Sequence, residues 1–184
     1  MRIHYNAPVV LTFALIAIAA FLLNSTIFPG LTNLLFSLHP SFSFGNPMDY
    51  FRLVSHVIGH ASTPHLLNNL VFILLLGPIL EEKYGSRKIF WVMIITAIIT
   101  GIINLIFSST GLLGASGIVF AFILLVSIVN VQKHSLPLSF ILVALLFIGE
   151  ELLNSFREDM ISQTAHIVGG IIGAAFGFRI SKRE

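Results

Sequence analysis

The chain has 184 residues, of which 56% are hydrophobic and only 10% are charged, whereas an ordinary soluble domain carries roughly 25% charged residues. This composition indicates one membrane domain, and the lack of cysteine excludes disulfides, thiol catalysis and cysteine-bound metal. The formal net charge of +2 gives no reason to expect nucleic acid as a partner, because basic residues in a membrane protein mostly report topology.

Six apolar segments are near the length of a spanning helix, which needs about 20 mostly apolar residues. The sequence predicts an all-α membrane protein with a single domain over residues 1–184, built as a six-transmembrane-helix bundle. The predicted helices cover 8–24, 65–82, 89–107, 115–131, 137–154 and 162–179. We interpret the first as a retained helix, because no convincing signal cleavage site follows it. The long first loop, 25–63, is apolar but broken by proline and glycine, and we expect it to lie in the membrane interface.

The lysines and arginines predict the orientation of the bundle. With both termini in the cytoplasm, eight basic residues lie inside and only Arg52 and Arg157 lie outside. The second, fourth and sixth helices then all begin near the outer face, so residues in their first turns lie at similar depth. Three separated parts of the sequence can therefore contribute polar side chains to one shallow layer.

The stretch GASG places Ser116 in the first turn of the fourth predicted helix. Gly114 and Gly117 allow close packing against a neighbouring helix. A backbone N–H in a first turn has no helical acceptor and can stabilise a developing oxyanion. Ser116 is therefore a candidate nucleophile, and small-residue packing is the alternative.

A serine nucleophile needs a base, and His166 in AHIVGGIIG is the best candidate. Gly169 and Gly173 share its helix face and permit tight contact with another helix. His65 and Asn69 lie four residues apart on the second helix, and both can donate hydrogen bonds. They are candidates to complete an oxyanion hole with the backbone N–H of Ser116. A hydrogen-bonded structural histidine and a polar pair closing a helix start are the alternatives.

Metal catalysis is the main chemical rival, because His56, His60 and His65 lie within ten residues. The sequence has no His-Glu-x-x-His motif and no carboxylate near these histidines, so we expect no metal and no other cofactor. His56 and His60 are expected to hold the first loop by hydrogen bonds. A small transporter or channel, and a catalytically silent protein that binds transmembrane helices, remain alternatives for the whole chain.

Taken together, FRLVSHVIGHASTPHLLNN, EEKYG, GASG and AHIVGGIIG resemble the rhomboid family of intramembrane serine proteases over roughly residues 48–178. The resemblance implies a serine endopeptidase that cuts transmembrane segments of other membrane proteins near their outer ends, within the lipid bilayer. The compact architecture suggests a prokaryotic plasma (inner) membrane.

The resemblance also assigns roles to single residues. Ser116 and His166 match a catalytic dyad with no acidic third member, and His65 and Asn69 match oxyanion-stabilising positions. The remaining matches are the helix-docking Gly169 and Gly173, the first-loop structural residues Arg52, His56 and His60, and Glu81 and Gly85 at the inner end of the second helix. Phe120 stands where many bacterial members have a tyrosine stacked on the histidine, so an aromatic face remains but the phenolic hydroxyl does not.

Overall fold

The computed structural model describes residues 4–128, 138–139, 141–143, 145–146 and 160–181. This part of the chain is helical, with one isolated β-bridge between Leu38 and Leu112. The helices in chain order are α1 (Pro8–Thr26), α2 (Leu31–Leu35), α3 (Pro47–Ser55), α4 (Thr63–Tyr84), α5 (Ser86–Phe107), α6 (Ser116–Ser127) and α7 (Met160–Ser181). A 3-10 turn, His56–Ile58, follows α3, and the described residues between 138 and 146 are helical.

Three of these helices, α1, α4 and α5, are long and apolar enough to cross a membrane. The apolar helix α6 and the apolar part of α7, Ile167–Gly177, are shorter. These findings confirm an all-α integral membrane protein. The count of six spanning helices stays a prediction, because most of the predicted fifth helix, 137–154, lies outside the described residues.

The helix starts follow from local chemistry. Pro8 and Pro47 open α1 and α3, since the first turn of a helix does not need the N–H that proline lacks. The Ser62 hydroxyl accepts the N–H of His65 at 3.3 Å and caps α4. Gly85 separates α4 from α5 with a φ of +83°, in the left-handed region that favours glycine. The Ser62 cap thus fixes the beginning of α4, the helix that carries His65.

Helix α6 lies at the centre of the described bundle and packs against α4, α5 and α7. Phe122 and Leu125 on α6 are fully buried, together with Ile73 of α4 and Val92 of α5. By contrast, α1, α4 and α5 expose large apolar side chains, as expected for helices in contact with lipid. The helix that begins at Ser116 is thus enclosed by its neighbours.

A buried carboxylate joins the N-terminal end of α1 to the C-terminal end of α4. The Glu81 oxygens Oε1 and Oε2 accept the backbone N–H groups of Val9 and Val10, each at 3.0 Å, and Glu81 is only 4% exposed. The first N–H groups of a helix have no helical acceptor, and the positive end of the helix dipole favours a negative charge there. Glu81 therefore fixes where α1 begins relative to α4.

The first loop is folded by side chains that bond to its backbone. Arg52 donates from Nε to the carbonyl oxygen of Leu34 and from Nη1 to Asp49 Oδ1, both at 2.9 Å. The N–H of Ser43 donates to Asp49 at 3.0 Å, and this bond, with Arg52 beside it, holds the pKa of the Asp49 carboxyl below its usual value. The loop thus places α3 and the 3-10 turn against the bundle in a defined position.

Candidate active site

The segment that precedes α6 is anchored by backbone hydrogen bonds to the first loop. Leu38 and Leu112 exchange two N–H···O bonds of 2.9 Å each, and the N–H of Gly114 donates to the carbonyl oxygen of His56, also at 2.9 Å. Ser116 follows as the first residue of α6 and is half-buried. The position of Ser116 is thus set by α6 on one side and by the first loop on the other.

His65 and Asn69, in the first two turns of α4, lie beside this segment. A Cβ added at Gly114 would stand 2.6 Å from His65 Nε2 and 3.8 Å from Asn69 Nδ2. The Asn69 side chain is 6% exposed, and its Nδ2 has no hydrogen-bond partner among the described residues. Two side chains that can donate hydrogen bonds therefore converge on the backbone two residues before Ser116.

Gly114, predicted to be a helix-packing glycine, lies before α6 with a φ of +114°. Its close neighbour is the side chain of His65 in α4, and its helix-packing role stays a prediction. Only glycine combines this backbone conformation with so close a side chain. Gly114 lets the segment that precedes α6, residues 108–115, pass next to α4. This segment is called the serine loop below.

Gly169 and Gly173 on α7 both meet the backbone of α6. A Cβ at Gly169 would overlap the carbonyl oxygen of Gly117, and one at Gly173 would overlap that of Ala121. Because both contacts advance by four residues, α6 and α7 run parallel in a fixed register. Gly117, Gly169 and Gly173 therefore lie where α6 and α7 approach each other closely.

His166 lies on α7, one turn before Gly169, but its side chain is outside the described residues. The contact between Ser116 and His166 therefore stays a prediction. Phe120, one turn after Ser116, is half-buried on α6, and its stacking on the histidine stays a prediction for the same reason. Glu150 and Glu151, two acidic residues near the end of the predicted fifth helix, 137–154, also lie outside the described residues.

His56 and His60 are buried in the first loop, with 1% and 2% of their surface exposed. His56 Nδ1 lies 3.2 Å from the carbonyl oxygen of Leu53, and His60 Nδ1 lies 3.0 Å from that of Ile58. Burial lowers the pKa of each ring to about 4, and the nearby His65 lowers that of His60 further in the same direction. Both rings are therefore neutral at pH 7.

The rings of His60 and His65 stand edge to face with centroids 5.0 Å apart. His60 thus forms an uncharged wall behind a candidate oxyanion residue. Among the described side chains, no group of three histidine, aspartate or glutamate residues is arranged to hold a metal ion. The expectation of a metal-free site stays a prediction.

Sequence reasoning missed the backbone contacts that hold the serine loop. The carbonyl oxygen of His56 and the pairing of Leu38 with Leu112 are main-chain interactions, and no side-chain pattern encodes them. The only available signal was Gly114, whose lack of a Cβ permits the approach to His65.

The chain is similar to known proteins over most of its length. Residues 47–183 match the family model described as Rhomboid domain. The chain is 30% identical over 137 residues to the rhomboid protease GlpG of Haemophilus influenzae, with 73% of this chain and 71% of that protein covered. It is 31% identical over 137 residues to the proteins of the same name from Salmonella paratyphi A and Salmonella newport, with 71% of this chain and 48% of each relative covered. The chain thus spans about half the length of the Salmonella relatives.

Proposed function

The chain belongs to the rhomboid family and is a membrane-embedded serine protease, and we propose that it hydrolyses peptide bonds with Ser116 as nucleophile and His166 as general base. The proposed substrates are transmembrane segments of other membrane proteins, cut near the outer face of the bilayer. The proposed mechanism uses no metal or other cofactor.

The packing of α6 against α7 is the observation that carries this proposal. Gly117 faces Gly169 in parallel helices, and Ser116 and His166 precede these contacts by one and three residues. At 1.5 Å per residue, their backbones differ in height by about 3 Å. A spacing of three residues also keeps His166 on the α7 face that meets α6. A serine and a histidine side chain can bridge such a separation.

The proposed reaction proceeds in two stages. The Ser116 oxygen attacks the substrate carbonyl while His166 takes the serine proton, and His166 then gives that proton to the leaving amine. Water activated by the same imidazole hydrolyses the acyl-enzyme. In each stage, the backbone N–H of Ser116 and the side chains of His65 and Asn69 stabilise the negative charge on the carbonyl oxygen.

The unpartnered Asn69 Nδ2 supports the oxyanion assignment. A buried polar atom without a partner is costly, with a penalty of about 1–3 kcal/mol. The Asn69 amide lies next to the serine loop, where a substrate oxyanion would accept its hydrogen bond. A donor that is satisfied only as charge develops lowers the barrier by roughly 3–4 kcal/mol.

Cleavage of a model transmembrane substrate in liposomes tests the dyad. Ser116→Ala and His166→Ala should each abolish the product while the variants stay folded. Ser127→Ala is a matched control, because Ser127 lies on the same helix and only bonds the carbonyl oxygen of Ile123. His4→Ala, at an exposed position before α1, is the corresponding histidine control. Normal cleavage by either dyad variant would refute the assignment.

A serine-directed fluorophosphonate provides a second readout that needs no substrate. It should label the wild type and the Ser127→Ala variant, and labelling should disappear in Ser116→Ala. Labelling without any cleavage of several transmembrane substrates would support a reactive serine but contradict the proposed substrate class.

We further propose that the protein lies in the plasma membrane with both termini in the cytoplasm. Because the chain has no cysteine, single-cysteine variants report topology without a background. An impermeant maleimide added outside intact cells should label Gly45→Cys in the first loop, and Glu82→Cys at the inner end of α4 should react only after lysis. The reverse pattern would overturn the orientation.

A further inference from the structure

An open apolar groove lies between α1 and α5. A groove of about 610 Å³ separates the first half of α1 from the first half of α5, with α3 and the 3-10 turn closing one end. Ile16, Tyr50, Phe51 and Phe90 along it are all 45–49% exposed, so the groove opens to the surroundings of the bundle. Ser116, His65 and Asn69 are not among the described residues that line it, although Ile118, two residues after Ser116, is.

The length and the lining of the groove suit a lipid chain. Its lining runs from Val9 to Ile16 on α1 and from Phe90 to Ala97 on α5, or about 10 Å along each axis. The hydrocarbon of one leaflet is about 15 Å deep, so the groove covers about two thirds of one leaflet. The described side chains that line it are almost all apolar, and an acyl chain can therefore lie along it.

Polar and basic groups border this apolar groove. Arg87 is exposed and precedes the lining residues Phe90 and Ile94 by three and seven positions, so it lies on their face of α5. Across the groove, the hydroxyl of Tyr5, which precedes α1, shares a hydrogen bond of 2.9 Å with Thr12 Oγ1 on the α1 wall. The groove therefore presents a guanidinium at one end and hydroxyl groups along one wall, which suits a phosphate headgroup and the ester groups below it.

We propose that this groove binds one anionic phospholipid from the leaflet on the Arg87 side, with an acyl chain between α1 and α5 and the phosphate on Arg87. The Glu81 carboxylate faces α4 and the start of α1, where its two oxygens accept the N–H groups of Val9 and Val10, and the positive end of the α1 dipole offsets its charge. The proposal does not depend on the dyad, since Ser116 is not among the described residues that line the groove.

The fluorescence of Trp91 measures this binding directly. Trp91 is the single tryptophan in the chain, and its ring lies 5.7 Å from that of Phe90, centroid to centroid. The full chain is reconstituted in phosphatidylcholine bilayers that contain a minor fraction of brominated phosphatidylglycerol or of brominated phosphatidylcholine. Bromine quenches tryptophan at short range, so the ratio of the two quenching constants reports the local preference. We expect about a fivefold preference for phosphatidylglycerol.

Three variants distinguish a bound lipid from general attraction to basic residues. Arg87→Gln should abolish the preference, and Lys88→Gln, which removes a neighbouring charge from the face of α5 that carries Trp91, should keep it. Ile94→Phe narrows the groove without changing charge and should also abolish the preference. Ile16→Phe, at an exposed position on the opposite wall, serves the same purpose if Ile94→Phe does not fold.

Each other outcome counts against the proposal. Equal quenching by both lipids in the wild type, or loss of preference in Lys88→Gln but not in Arg87→Gln, would overturn it. A preference that survives in both folded groove-filling variants would show that the lipid binds outside the groove. Cleavage activity in the same bilayers is a separate measurement and does not enter this test.

Discussion

Replacing Gly169 with alanine tests how closely the chemistry depends on the contact between α6 and α7. The added Cβ would lie 2.8 Å and 2.9 Å from the C and Cα atoms of Gly117 and would overlap its carbonyl oxygen. Non-bonded carbon atoms prefer about 3.5–4.0 Å, so the helices must separate by about 1 Å. Overpacking of this kind costs about 1–3 kcal/mol of stability, and a displacement of about 1 Å at reacting groups costs about a hundredfold in rate.

The assay measures kcat for a transmembrane substrate in liposomes together with thermal unfolding. Gly177→Ala is the matched control on the same helix, because the atoms nearest to its added Cβ belong to the side chains of Ile128 and Leu125, at 3.2–3.3 Å, and none of these three is a backbone atom. We expect Gly169→Ala to lose about a hundredfold in kcat and Gly177→Ala to lose little. A folded Gly169→Ala variant with wild-type kcat would refute the link between this contact and the dyad.

Three further predictions concern the contact of Glu81 with α1, the first loop and the serine loop. Glu81→Gln should lower the free energy of unfolding by about 2 kcal/mol, because one of two charge-assisted bonds to α1 is lost, as measured by thermal or denaturant unfolding. Stability should be constant above pH 6.5 and fall as the pH drops towards 4, by about 3 kcal/mol for each of His56 and His60, because the folded state resists protonation of rings whose pKa is about 4. Gly114→Ala should reduce kcat by about a hundredfold, because its Cβ would displace the His65 ring.

Each of these predictions has a control. Glu82→Gln changes an exposed neighbour of Glu81 and should leave the unfolding midpoint unchanged. His60→Asn should remove about half of the pH dependence, and a flat stability profile from pH 7 to about 4 in the wild type would contradict the assignment of neutral rings. Gly30 has a φ of +98° but no atom within 4 Å of an added Cβ. Gly30→Ala thus carries the backbone strain without the clash, and equal activity losses in Gly30→Ala and Gly114→Ala would contradict a specific role for His65.

The helices could be predicted from the sequence because lipid imposes simple rules. The apolar run from Pro8 onwards predicts a helix over 8–24, and α1 spans Pro8–Thr26. The predicted helix over 65–82 is α4, Thr63–Tyr84, whose earlier start follows from the Ser62 cap. The first loop contains the short helices α2 and α3, and its position in the membrane interface stays a prediction. Length, apolarity and capping chemistry are local properties, so a single sequence contains them.

The contacts that assemble the candidate site were harder to predict, because many of them involve the main chain. Glu81 is conspicuous as a carboxylate in an apolar helix, but its partners are two N–H groups more than 70 residues away in sequence. The sequence indicates that Gly114 permits close approach, but it does not indicate that the neighbour is the ring of His65 on α4. Side-chain patterns indicate which residues can react, whereas backbone partners have no sequence signal.

The first loop therefore holds the groups that are proposed to stabilise the oxyanion. It binds the serine loop through the carbonyl oxygen of His56 and the bridge of Leu38 with Leu112, and it supports His65 through the ring of His60. Both proposed sources of oxyanion stabilisation, the α6 start and the α4 side chains, thus rest on the same buried histidine segment. A protonated His56 or His60 ring is unfavourable when it is buried. Acid should therefore disturb the oxyanion hole before it unfolds the spanning helices, whose cores contain few titratable groups. Loss of kcat at a higher pH than loss of helix content, measured on one sample, would follow from this arrangement, and simultaneous loss of both would contradict it.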